Sequence, residues 1–172
     1  MDLLEKMNKT DLKEFFSKNW LTHDAMWYGN CVLDQGPEIA NRLNKKAARS
    51  MAAIEIKRIM SLMDIPRTTT ITHFDNLAEI IETAVLLVQT NFMKFDFSFP
   101  IKNVLHGQFH ECFAHDAVKQ YGMIREYECG ILERVKGWLD TIKVDYTLTP
   151  AFTGCLMHQK GSCEFNFYFE LD

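Results

Sequence analysis

Long apolar runs are absent: the nearest approach, Ala84 to Val88, falls far short of the roughly 20 residues a membrane-spanning helix needs. Basic clusters are equally scarce. No block exceeds Lys45-Lys46 and the net charge is −4, so a nucleic-acid partner lacks its electrostatic footprint. Only 4 prolines and 8 glycines punctuate the 172 residues. There is no internal repeat and no low-complexity linker, which leaves one domain large enough to bury its own core. No Walker loop, dinucleotide glycine fingerprint, nucleophile elbow or EF-hand loop occurs, and the reaction classes they serve have no signature here. The opening Met1-Asp-Leu-Leu-Glu-Lys6 is charged and amphipathic rather than signal-like. Cysteines number 5; an odd count without an export signal fits reduced thiols in a prokaryotic cytoplasm better than a disulfide framework.

What is present is a soluble-type composition, 47% hydrophobic and 24% charged, with 13 phenylalanines, most of them after position 91. In the first half the period is helical. Thr10 or Asp11 is the expected cap of a helix burying Leu12, Phe15, Phe16, Asn19 and Trp20. Its apolar face continues through His23, Met26 and Trp27 until Gly29 and Gly36-Pro37 interrupt it. Pro37 suits the first turn of a second helix with the stripe Ile39, Ala40, Leu43, Ala47 and Met51. Ile54 to Met63 continues it or forms a third helix, stopped by Ile65-Pro66. Thr72 to Asp75 reads as a capping box for a helix facing inward with Leu77, Ile80, Ile81 and Ala84.

After residue 90 the period changes. Phe95, Phe97 and Phe99 alternate with polar residues, and Pro100 ends that strand or marks an edge. Cys112 to Tyr121 and Tyr127 to Ile142 read as helices. Val144, Tyr146 and Leu148 alternate as a strand, and Cys163, Phe165, Phe167, Phe169 and Leu171 share one face of a final one. The expected class is α+β: a helical N-terminal half packed on a twisted antiparallel sheet built mainly by the C-terminal half.

Three groups of residues can carry chemistry. Cys155 and His158 lie three apart, a spacing that lets both reach one ion from a tight turn. Cys112 and Cys129 complete a tetrahedral set of zinc type. Both upstream cysteines fall near predicted helix starts, where the dipole favours a thiolate. The plainer alternative is that these are buried thiols acting as small hydrophobes; Cys163, on the aromatic face of the last strand, is read that way. In the second group, Trp20, His23, Asp24 and Trp27 share a helix, placing the imidazole between two indoles. The indoles can clamp a planar ligand, with His23 and Asp24 as catalytic candidates; a packed aromatic cluster is the alternative. In the third, His106-x-x-x-His110 resembles half of a metalloprotease helix but lacks the following glutamate, and Gly107 weakens a helix there.

The segments Gly130-Ile-Leu-Glu133, Gly137-Trp-Leu139, Cys155 and Gly161-Ser-Cys163-Glu-Phe165-x-Phe167 together resemble the closing half of 4-vinyl reductase domains. The whole chain resembles an uncharacterised prokaryotic family of similar length. It does so through Asn19-Trp20, Thr22-His23-Asp24, Trp27, Gly36, Ala40-Asn41, Glu55, Arg58, Cys112, Ala114, Gly122, Cys129 and the Cys155 turn. That family often carries Cys-x-x-Cys at the last turn, where this chain has His158. The resemblance implies helices over one face of a twisted antiparallel sheet, and binding of a small, hydrocarbon-like molecule.

The expectation is therefore a cytoplasmic protein that binds a small apolar or planar molecule through Trp20, His23 and Trp27, in a pocket between that helix and the phenylalanine-rich sheet. A zinc ion held by Cys112, Cys129, Cys155 and His158 would clip the C-terminal hairpin. A small metal-dependent hydrolase or reductase accessory is one alternative. The other is a structural homodimer that pairs through its final aromatic strand.

Overall fold

The N-terminal half is built from helices whose ends are set by a few residues. The computed structural model describes residues 3–172; Met1 and Asp2, with the part of the amphipathic opening that falls on them, lie outside the described residues. After a short α1 (Leu3–Lys6), α2 (Lys9–Gln35) begins at Asn8, whose side-chain oxygen accepts the Asp11 N–H at 2.9 Å. The cap is thus Asn8 rather than Thr10 or Asp11. Gly29 is carried inside the helix, where one glycine costs only about 1 kcal/mol, and the chain breaks at Gly36, whose φ of +85° a side chain would resist. Pro37 then opens α3 (Pro37–Leu62), a single helix through the Ile54–Leu62 segment.

Between Phe74 and Val88, α4 buries Leu77, Ile80, Ile81 and Ala84 as its spacing requires. The expected capping box does not form: His73 holds the cap position and makes no side-chain cap bond. A distant irregular segment, residues 169–172, does that work. Phe74 N–H donates to the Asp172 carbonyl at 2.9 Å, and Asp172 N–H donates to the Thr72 carbonyl at 3.1 Å.

Four antiparallel strands form one sheet in the order β1 (Lys94–Ile101), β2 (Val104–Glu111), β4 (Cys163–Tyr168), β3 (Thr147–Thr149). Pro100 sits near the end of β1, an edge strand whose outer side needs no N–H from it. Because β2 is a strand, His106 and His110 do not make a helical pair. His106 Nδ1 lies 3.0 Å from Asn166 Oδ1, and His110 Nε2 lies 2.6 Å from Asp96 Oδ2 across the sheet. Strand β4, expected to offer a free edge for dimer pairing, lies inside the sheet with partners on both sides. Over its second half, from Asn166 to Tyr168, it is paired on both sides, which closes that stretch to main-chain pairing with a second copy.

Helices α5 (Phe113–Gln120), α6 (Ile131–Thr141) and α7 (Leu156–Lys160) interrupt the strands. Two glycines set how closely the layers meet. A Cβ on Gly137 of α6 would come within 2.8 Å of Ala52 Cβ and 3.1 Å of the Arg49 backbone on α3, so the two helices approach through that gap. At Gly107 of β2 the missing side chain makes room for the Phe165 and Phe97 rings. These rings join Phe95, Phe109 and Phe167 in one aromatic core, with centroid separations of 4.9 to 6.4 Å. The phenylalanines of the sheet thus fill the core themselves. No helix of the described chain is long and apolar enough to cross a membrane.

Candidate functional site

Two features of the structure gather the residues that carry chemistry. The first is a cavity of about 10 Å³ between the helical and strand layers, lined by Cys112, Cys129, Cys155 and Cys163 together with carbon from Phe109, Phe152 and Leu156. Each thiol comes from a different element. Cys112 holds the cap position of α5 and Cys155 that of α7, Cys129 immediately precedes the Gly130 cap of α6, and Cys163 opens β4.

The backbone accounts for this convergence. Cys129 N–H donates to the Gly154 carbonyl at 3.1 Å, holding it beside Cys155. Cys163 faces Phe109 in the β2–β4 register, three residues before Cys112. Upstream, the 126–128 segment is anchored through buried Asn41. Its amide donates to the Glu126 carbonyl at 2.6 Å, and its oxygen accepts both the Glu128 N–H at 3.0 Å and the Tyr28 hydroxyl at 2.8 Å.

Three of the four expected metal ligands therefore meet, and one does not. His158 is exposed on α7 and does not line the cavity; the missed member is Cys163, whose place on an aromatic strand face reads as core. As the side chains stand, no group of three or more His, Cys, Asp or Glu among the described residues is arranged to hold a metal ion. Nor does the expected thiolate character appear. Burial pushes the Cys112 thiol up to about 12, against the backbone N–H groups of His115 and Ala114 that pull it down. Burial likewise lifts Cys129 to about 11 and Cys163 to about 12. The helix starts do favour thiolate, and desolvation outweighs them.

The second feature is an open groove of about 530 Å³ between α2, α3 and α4, within the size range of small-molecule sites. Trp20, Met51, Ile54, Ile59, Leu87 and Val88 form its walls, and Glu55 and Arg58 are its charged members. Glu55 is already engaged: it accepts a two-pronged pair from Arg134, with Nε at 2.8 Å, and the Trp138 indole N–H at 2.9 Å. The Arg134 guanidinium lies between two indoles, 5.3 Å from the Trp20 ring centre and 5.5 Å from that of Trp138. Arg58 is exposed and takes part in none of the ion pairs among the described residues.

Of the expected ligand-binding trio, only Trp20 lines this groove; His23 and Trp27 are exposed elsewhere on α2. Trp20 stacks on Arg134 rather than enclosing His23. Asp24 is held above its usual pKa by burial, which the charges of His23 and Arg134 only partly offset. The pocket expected between α2 and the sheet is instead a groove between helices, because the sheet's aromatic face is consumed by the core.

Residues 3–155 match a family described as "Family of unknown function (DUF6125)". The chain belongs to it. No curated protein matches the chain. Among solved structures, this family member is similar to trafficking protein particle complex subunit 3 from Naegleria fowleri covalently bound to palmitic acid. The identity is 15% and the TM-score 0.53, over 91% of this chain and 96% of that one. At that identity the likeness shows a shared fold. The expectation of an uncharacterised family agrees with the match, whereas the likeness to 4-vinyl reductase domains has no support from it.

Proposed function

We propose that this DUF6125 member binds an amphipathic small molecule, with an apolar body and an anionic head, in the groove between α2, α3 and α4. The observation that carries this reading is the pairing of a largely apolar groove with Arg58, an exposed cation that makes no ion pair among the described residues. Glu55 adds no net negative charge to the site because Arg134 neutralises it. An anion seated on Arg58 gains a charge-assisted hydrogen bond, while its chain removes Trp20, Ile54 and Leu87 from water. These three are 39%, 55% and 42% exposed, so their cover is an additional hydrophobic gain. The palmitic acid held by the Naegleria fowleri subunit supports the reading only in that a protein of this fold accommodates a long acyl chain.

Titration calorimetry with dodecanoate, below its micellar concentration, tests the proposal. The wild-type chain is expected to bind it saturably at one site. Arg58→Ala weakens binding about tenfold, close to 1.4 kcal/mol, and dodecanol binds wild type and variant alike. Equal affinity of acid and alcohol for the wild type removes Arg58 from the site, and absence of saturable binding by either discards the groove.

A second reading, self-association, is favoured by one observation. Of the 27 residues of α2 only Tyr28 is buried, and Phe15 and Phe16 stand 56% and 64% exposed. Aromatic side chains left outside a domain core are the ordinary material of an interface between copies. A cytoplasmic setting would keep the thiols reduced.

A further inference from the structure

We propose that Cys112, Cys129, Cys155 and Cys163 together bind one divalent cation of zinc type, in a closed four-sulfur shell that locks the C-terminal half. Of the chain's 5 cysteines, four line one cavity of about 10 Å³, and only Cys31 lies elsewhere. An apolar core does not need its sulfurs in one place, whereas a structural zinc site does: tetrahedral coordination by four thiolates is one of its ordinary forms.

The placement is made by main chain rather than by side-chain chance. The Cys129 N–H bond to Gly154 joins two ligands, and the Phe109–Cys163 register brings the other two to the same end of the sheet. All four residues are free thiols, and Cys112, Cys155 and Cys163 are more than nine-tenths buried. Among the described residues the sulfurs are not arranged around one point, so the proposal requires the four side chains that line the cavity to turn onto the ion as it binds.

Binding breaks four S–H bonds, sends four protons to solvent and forms four metal–sulfur bonds, which leaves the shell with two negative charges. The starts of α5 and α6 face that charge: the N–H groups of Ala114 and His115 lie toward the Cys112 sulfur, and those of Ile131 and Leu132 toward that of Cys129. His158 is outside the shell, because it stands exposed on the outer side of α7. The site does not depend on the ligand groove, whose residues are different ones.

The test is zinc titration of the reduced full chain after chelation. Metal is then measured per chain, and zinc-edge X-ray absorption is recorded on the loaded wild-type protein. One zinc per chain, four sulfurs at about 2.3 Å and retention of that shell in His158→Ala are expected. Cys163→Ser is expected to lose about one quarter of the thiolate-to-metal charge-transfer intensity when cobalt replaces zinc. The wild-type absorption measurement stands even if that variant does not fold. Substoichiometric zinc, or a shell containing a nitrogen that disappears in His158→Ala, overturns the proposal.

Discussion

Glu55 illustrates how one side chain can hold a site open. It accepts hydrogen bonds from Arg134 and from the Trp138 indole, and Arg134 in turn supports the Trp20 ring that forms a groove wall. Both partners of the ion pair are largely shielded, with side-chain exposures of 18% and 19%. Glu55→Ala strands a guanidinium and an indole N–H, a loss expected to cost about 2–3 kcal/mol. Urea denaturation reads that loss as a lower midpoint with an unchanged slope. Dodecanoate binding should weaken as well, since Trp20 loses its support.

Little of this arrangement was legible in the residues alone. Glu55 and Arg58 stand out only through the family resemblance, and their partner Arg134 lies far along the chain. Cys112, Cys129 and Cys155 were legible as a group because the thiol is a rare side chain with few roles. Cys163 was hidden by its alternation with phenylalanine, which reads as core. His158 was misplaced because a three-residue spacing does not say which side of a short helix an imidazole occupies.

At the level of elements, α3 and α6 are joined by apolar contact at Gly137 and by charge. Glu133 on α6 accepts hydrogen bonds from Lys136 and from Arg49 of α3, and Arg49 also pairs with Asp140. Burial pushes the Glu133 carboxyl up, but the two cationic partners more than offset this, so its pKa lies below the ordinary 4.5. A carboxyl depressed by folding adds stability that is fully present above its unfolded pKa and is lost as pH falls through the folded value. Thermal midpoints are therefore expected to be insensitive to this group from pH 7 to 5 and to fall below about 4.5. Glu133→Gln should flatten that fall while lowering the midpoint at pH 7.

Helix α4 and the face of β4 were readable from period alone, since each packs one stripe on the core. The buried face expected of α2 was not realised. Its apolar residues follow a helical period, but the other helices and the sheet already close the core without them. A periodic stripe declares that a face will be covered without naming what covers it.

The whole molecule carries large apolar side chains on the outside of three helices: Phe15, Phe16 and Leu33 on α2, Leu62 on α3 and Leu86 on α4. Light scattering at micromolar concentration is expected to return twice the 20.0 kDa of one chain. Replacing Phe15 and Phe16 together by serine should return the single mass with unchanged helix content by circular dichroism. A single mass for the unaltered chain rejects the second copy as the cover of this face.

Strand β4 occupies the middle of the sheet although it follows every other element in the chain. The β1–β2 hairpin can close from neighbouring residues, whereas β2 must wait for a partner that lies beyond α5, α6, β3 and α7. Non-local closure of this kind places the chain among slower folders, in the millisecond-to-second range. Until it happens, the ladder groups of β2 that face β4 and the rings of Phe165 and Phe167 have no cover. In a crowded cell that interval is when the nascent molecule is most exposed to aggregation and most in need of a chaperone.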